Sequence, residues 1–160
     1  MKERMNYAKA SPEVYQSMLG LHHYLENCGL DKKLMDLVYL RASQINGCAF
    51  CIDMHWKDLR AMGVSEQDLC MLSAWHEWPA FTERERAALQ WTESVTLLTE
   101  GFVPDAVYET ARAHFSETEL AQLTLAVVAI NGWNRLNVAF RKPAGAYQPQ
   151  AAAASVPSPV

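Results

Sequence analysis

Two cysteines three residues apart, with a histidine four residues further on, stand in the stretch Gly47-Cys48-Ala49-Phe50-Cys51-Ile52-Asp53-Met54-His55. If this stretch is helical, Cys48, Cys51 and His55 fall within about 60° of one another, because each residue advances the helix by ~100°. Two thiols and a base then share one face. Side chains at i and i+3 are close enough for a short disulfide, so a dithiol here can close and reopen without unfolding the chain.

The reactive form of cysteine is the thiolate, and a helix N-terminus favours it. Cys48 follows the Asn46-Gly47 break, where that field is strongest. Cys51 lies one turn in, and His55 one turn further, placed to take or share the Cys51 proton directly or through water. With a peroxide, a thiolate attacks the O–O bond and becomes a sulfenic acid. The other cysteine condenses with it to a disulfide, and an external thiol restores the pair by exchange. A base beside a thiol needs an orienting group. The candidate is Asp36 on the preceding helix, meeting His55 directly or through a water. Asp53, two residues after Cys51, points elsewhere on the wheel.

Zinc is the competing use of a cysteine pair, but a structural zinc needs four ligands, usually from two such pairs. Cys28 and Cys70 stand alone, and His76 and His114 lie in no ligand-like spacing. Cys28 and Cys70 read as small buried apolar residues, and His22, His23 and His114 as surface or partly packed. His76-Glu77, between Trp75 and Trp78, reads as a structural corner.

The 160 residues suit one compact domain, half of them hydrophobic and a fifth charged. A net charge of −4, with no Lys/Arg block, argues against nucleic acid or an anionic membrane as the main partner. The N-terminus lacks the apolar core of a signal peptide, and the longest apolar run, Ala126 to Ile130, is too short to span a bilayer. These features predict a cytoplasmic protein, where four cysteines are no disulfide framework.

The elements that must position the dithiol read as helices throughout. Ser11-Pro12-Glu13 predicts a helix start with a capping hydroxyl. Asp31 can cap the next helix, which ends at Asn46-Gly47. The cysteine helix follows to about Met62. Ser65 to Asp68, Thr82 to Glu85 and Ser116 to Glu119 have the form of capping boxes. The second opens a long helix through Leu98; Pro104-Asp105 begins another to about Phe115. The last helix, from Leu120 towards Phe140, is apolar nearly all round, which predicts a central place in the fold or an oligomer interface. The expectation is an all-α fold of about seven helices, with one domain over 1–141 and a flexible Pro/Ala/Ser/Gln tail over 142–160.

The stretch from Asp36 through His55 resembles the core motif of the alkylhydroperoxidase D-like family, within the carboxymuconolactone decarboxylase superfamily. The similarity continues through Leu72 to Trp75, the Thr82 to Arg86 helix start, and Ile130 to Asn137. The resemblance implies an all-helical fold, assembly into homotrimers or homohexamers, and thiol-dependent peroxidase activity. It matches the two family cysteines to Cys48 and Cys51 and the relay histidine to His55. It gives the peroxide-attacking role to Cys51 and the resolving role to Cys48, whereas the helix-end field favours Cys48 as the more acidic thiol; Cys51 is preferred. The family generally has Glu where this chain has Asp36, one methylene shorter, which predicts a lost or water-bridged contact to the histidine. Some members carry a histidine where Phe50 stands, and an arginine is common at the place of His76.

The function expected is a thiol peroxidase acting on hydrogen peroxide or organic hydroperoxides, with catalytic residues Cys48, Cys51, His55 and Asp36. It would need no bound cofactor or metal and would draw electrons from a dithiol such as a thioredoxin-like or lipoyl-bearing protein. Two other readings are a lactone decarboxylase-like enzyme without thiol redox, and a non-catalytic helical oligomer that senses oxidants or binds zinc.

Overall fold

A computed structural model describes residues 2–149, and among them every regular element is helical. The seven expected helices are present as α2 (Pro12–Glu26), α3 (Lys32–Asn46), α4 (Ala49–Ala61), α5 (Glu66–Met71), α6 (Glu83–Thr96), α8 (Asp105–His114) and α9 (Glu117–Phe140). Two single turns add to these, α1 (Tyr7–Ala10) and α7 (Leu98–Gly101), and a 3-10 turn at Leu72–Ala74 continues α5. The long helix expected to reach Leu98 ends at Thr96 and restarts as α7.

Local chemistry sets most boundaries. Asp31, Ser65, Thr82 and Ser116 each accept a hydrogen bond from the backbone N–H three residues on. Thr82 and Ser116 form reciprocal capping boxes with Glu85 and Glu119. Ser11 departs from expectation. Its side chain caps nothing and instead donates to Glu13 Oε2 at 3.3 Å, leaving Pro12, which needs no N–H partner, to start the helix.

The capping box of α9 gives a stability prediction. Glu119 is held at a pKa of about 2, first by the Ser116 backbone N–H, then by Arg84 and the Ser116 hydroxyl. Its folded value lies below the ordinary 4.5. The stabilisation is therefore complete above pH 4.5 and fades as pH falls towards 2. Ser116→Ala should lower stability by about 1 kcal/mol at neutral pH, with a smaller deficit at pH 3, read from urea unfolding at both.

The most enclosed helix is α3, not α9. It packs against α4, α6 and α9, and nine of its residues are buried, including Asp36 and Ser43. Its Leu34, Met35, Val38 and Ala42 join a core with Leu123, Ala126, Val127 and Ile130 of α9. Leu37 and Leu40 face a second core with Leu59, Leu69, Leu72 and Leu89. Each such leucine contributes about 1.5–3 kcal/mol on burial. The outer face of α9 leaves Val128 and Val138 exposed.

Two further expectations are corrected. Cys70 is exposed and Cys28 only partly covered, so neither is the small buried apolar residue its type suggested. Residues 142–149, assigned by composition to the flexible tail, lie against α4. Lys57 Nζ donates to the carbonyls of Gly145 and Tyr147 at 3.2 and 3.0 Å. The Gly145 N–H meets Asp53 Oδ2, and Tyr147 OH donates to Asp58 Oδ1 at 2.7 Å. The rest of the expected tail, 150–160, lies outside the described residues. No helix among the described residues is long and apolar enough to cross a membrane.

Candidate active site

Gly47 sets the geometry of the site. It ends α3 in the left-handed conformation at φ 65°, which costs a residue without a Cβ little. The turn leaves Cys48 as the N-cap of α4, and its Sγ accepts from the Cys51 N–H at 3.4 Å. The two cysteines are joined as a disulfide, with Cα atoms 5.4 Å apart. Both are buried.

Cys51 Sγ has a second neighbour, Asn137 of α9, whose Nδ2 lies 3.3 Å away. Tyr7 OH donates to Asn137 Oδ1 at 2.9 Å. That bond fixes the amide so that its NH₂ faces sulfur, where it would stabilise a thiolate. Each sulfur thus has its own N–H donor. Sequence reasoning missed Asn137 as a site residue. The signal available was an asparagine on an apolar helix, which needs a partner when buried.

One turn below Cys51, His55 is buried, and its Nδ1 lies 3.0 Å from Asp36 Oδ1. The contact is direct, the first of the two arrangements expected for Asp36, and the shorter side chain neither loses it nor needs water. It is possible because α3 and α4 pack closely. The other oxygen of Asp36 accepts from Lys32 Nζ at 3.1 Å. With Nδ1–H given to Asp36, neutral His55 carries its lone pair on Nε2. That atom is buried and has no hydrogen-bond partner among the described residues.

Cys51 and His55 line one cavity of about 330 Å³, walled chiefly by apolar side chains such as Leu19, Phe50, Ile130 and Trp133. Cys48 is not among the lining residues. Tyr39 is there as well, its ring centroid 5.1 Å from that of His55. Burial first, then the Asp36 charge, pushes its phenol above the ordinary value, so it stays protonated. Tyr147 from the C-terminal segment and His22 of α2 complete the wall; neither was foreseen as a site residue. On the far side Asp58, raised above the usual carboxylate range by burial, meets Tyr147 OH.

The chain matches the model of the carboxymuconolactone decarboxylase family over residues 12–94, just over half its length. It belongs to that family. The YdfG protein of Bacillus subtilis strain 168, itself uncharacterized, is 38% identical over 140 residues, covering 88% of this chain and 95% of that protein. A crystal structure from Agrobacterium tumefaciens, of a protein of unknown function with a suggested AhpD role in antioxidant defence, superposes with a TM-score of 0.88. It is 48% identical and covers 91% of this chain and all of that one. An alkyl hydroperoxide reductase AhpD of Bradyrhizobium diazoefficiens is 36% identical over 63 residues, which is 39% of this chain and 31% of that protein.

Other polar residues of the sequence lie away from the cavity. Asp53 pairs with Lys57, as the helical wheel required. His76 stacks on Trp75 at 3.7 Å between centroids and is largely exposed. Arg86 braces that corner by donating to the carbonyls of Trp75, His76 and Trp78. Asn134 ties α9 to α3 through Ser43 and Asn46, and Arg135 faces solvent. Asp36, His55 and Asp58 bring ligand atoms within 4.8 Å of one another. Their carboxylates already accept from Lys32 and Tyr147, and Asp36 stands against His55 Nδ1, so internal partners hold the carboxylates, while His55 Nε2 has none among the described residues.

Proposed function

We propose that the protein is a thiol peroxidase using Cys48 and Cys51 as a dithiol–disulfide pair. One observation carries this reading: Cys51 and an Asp36-oriented His55 line the same cavity, with Cys48 joined to Cys51 from behind. His55 takes the Cys51 proton at Nε2. The thiolate attacks the terminal oxygen of ROOH, the O–O bond breaks, and ROH leaves with the proton returned through His55. Cys51 is then a sulfenic acid. The Cys48 thiol displaces its hydroxyl as water, and the disulfide forms. An external dithiol returns two electrons and two protons by exchange. The chain's own residues supply the nucleophiles and the base of the peroxide-reducing half; the external dithiol is the nucleophile of the regenerating half.

The cavity favours organic hydroperoxides over hydrogen peroxide. About 330 Å³ of mainly apolar space lies in the range of small-molecule sites and far exceeds what H₂O₂ needs. The reductant is a dithiol protein or cofactor, thioredoxin-like or lipoyl-bearing, and the setting is the cytoplasm. Assembly into a homotrimer or homohexamer fits the exposed Val128 and Val138 on α9.

The test is peroxide consumption against a panel of dithiol donors, with the disulfide followed by mass spectrometry. Turnover that alternates the Cys48–Cys51 pair between bridged and open forms is expected. A pair that stays bridged while peroxide is consumed would sink the scheme.

A further inference from the structure

The cavity has one feature that an uncharged hydroperoxide does not use. Among the described residues its walls carry no Asp or Glu, and Lys142 is the one Lys or Arg that lines it. The position is built. Arg141 closes α9 in the left-handed conformation at φ 55°, and the Lys142 N–H returns to Asn137 O at 2.9 Å. The side chain lines the cavity, with Nζ 3.9 Å from the centroid of the Phe50 ring. Phe50, Cys51 and Lys142 all line this cavity, so the ammonium and the nucleophile border the same space.

Among the described residues, Lys142 Nζ makes no hydrogen bond or ion pair, whereas Lys32, Lys33 and Lys57 each meet a carboxylate. Burial lowers its pKa from the ordinary lysine value, and the Glu3 charge opposes this only in part, as expected of a half-covered ammonium with no carboxylate in hydrogen-bonding contact. A ring face only partly replaces water for such a group. A carboxylate would complete the set.

We propose that Lys142 determines specificity and that the substrate class is an amphipathic hydroperoxide bearing a carboxylate. Its apolar body fills the space between Leu19, Ile130 and Trp133, its carboxylate meets Lys142 Nζ, and its –OOH group meets Cys51. This rests on the peroxidase reading for the last contact only; capture of the anion by Lys142 does not depend on it.

The test has two arms. In the first, a medium-chain hydroperoxy acid and its primary amide, equal in size, are compared at fixed dithiothreitol. The wild-type protein should favour the acid about tenfold in kcat/KM. Lys142→Gln should bring the ratio to about one, Lys142→Arg should keep most of it, and Lys9→Gln at an exposed position should not change it. In the second arm, octanoate and octanamide are titrated calorimetrically into the oxidised protein. Octanoate should bind about tenfold more tightly, and Lys142→Gln should erase the difference. Equal acid and amide values in the wild type, or a preference that survives Lys142→Gln, would overturn the proposal. If neither hydroperoxide is turned over, the peroxidase reading fails, while the binding arm still decides the role of Lys142.

Discussion

Cys51→Ser should reduce peroxide turnover on the order of 10³-fold or more, and Cys48→Ser should fail differently. A serine hydroxyl is not ionised by an imidazole at neutral pH, so without the Cys51 thiol no nucleophile faces the cavity. Cys48 does not line that cavity. Cys48→Ser keeps the attacking thiol, His55 and Asn137, and lacks only the resolving group. It should consume about one equivalent of peroxide quickly and then stop, with a sulfenic acid on Cys51 that a dimedone-type reagent labels. Rapid-mixing measurement of peroxide loss, with mass spectrometry of the labelled peptide, separates the two. A burst in Cys51→Ser with label on Cys48 would reverse the roles. That outcome would mean the field at the helix end, where Cys48 Sγ accepts from Cys51 N–H, outweighs access and the Asn137 amide. Unfolding does not explain a loss in either variant, because the disulfide closes a loop of three-residue separation and so removes little denatured-state entropy.

The parts legible in the sequence are those governed by neighbours along the chain. The caps at Asp31, Ser65, Thr82 and Ser116 are three-residue relationships, and all four form. Cys51 and His55, one turn apart in α4, line one cavity as helical periodicity expects, whereas Cys48, the extended N-cap of that helix, does not join them there. The Asp36 contact was half legible. Residue type and resemblance named it, but whether a short side chain reaches His55 depends on how closely α3 and α4 approach. Asn137 and Lys142 were not legible as site residues. Asn137 lies 86 positions from the sulfur it touches, and nothing local says which face of α9 meets Cys51. Lys142 and Tyr147 belong to a segment whose composition reads as a tail. Its order comes from Lys57, Asp53 and Asp58 on α4, side chains that would otherwise read as a solvated helix face. The exposure of Cys70 was hidden for a different reason: a free cysteine's type predicts burial.

Asp36→Asn should lower kcat/KM about 10²- to 10⁴-fold, and Lys32 is the reason the change is not conservative. Asp36 now serves two neighbours, His55 Nδ1 at 3.0 Å and Lys32 Nζ at 3.1 Å. An ammonium has only donors, so an asparagine that keeps the Lys32 contact turns its oxygen towards Lys32 and its NH₂ towards His55. Nδ1 must then accept, and the imidazole proton moves to Nε2. The lone pair leaves the nitrogen available to accept the Cys51 proton, and the base is lost while the ring stays in place. His55→Gln should cost a similar factor, and the double variant little more than either alone, because the two groups act as one unit. A merely structural role for Asp36 would lower stability without changing the pH profile. Loss of the base predicts something else. As pH rises, solvent ionises the Cys51 thiol unaided, so Asp36→Asn should recover towards wild-type rates at alkaline pH. Asp36→Glu, one methylene longer in a buried pocket, should retain base function and lose less than Asp36→Asn. Steady-state rates of all four variants from pH 6 to 10, with urea midpoints measured alongside, check these outcomes. An Asp36→Asn protein within threefold of wild type at neutral pH would remove Asp36 from the relay, leaving His55 without an orienting partner in the mechanism.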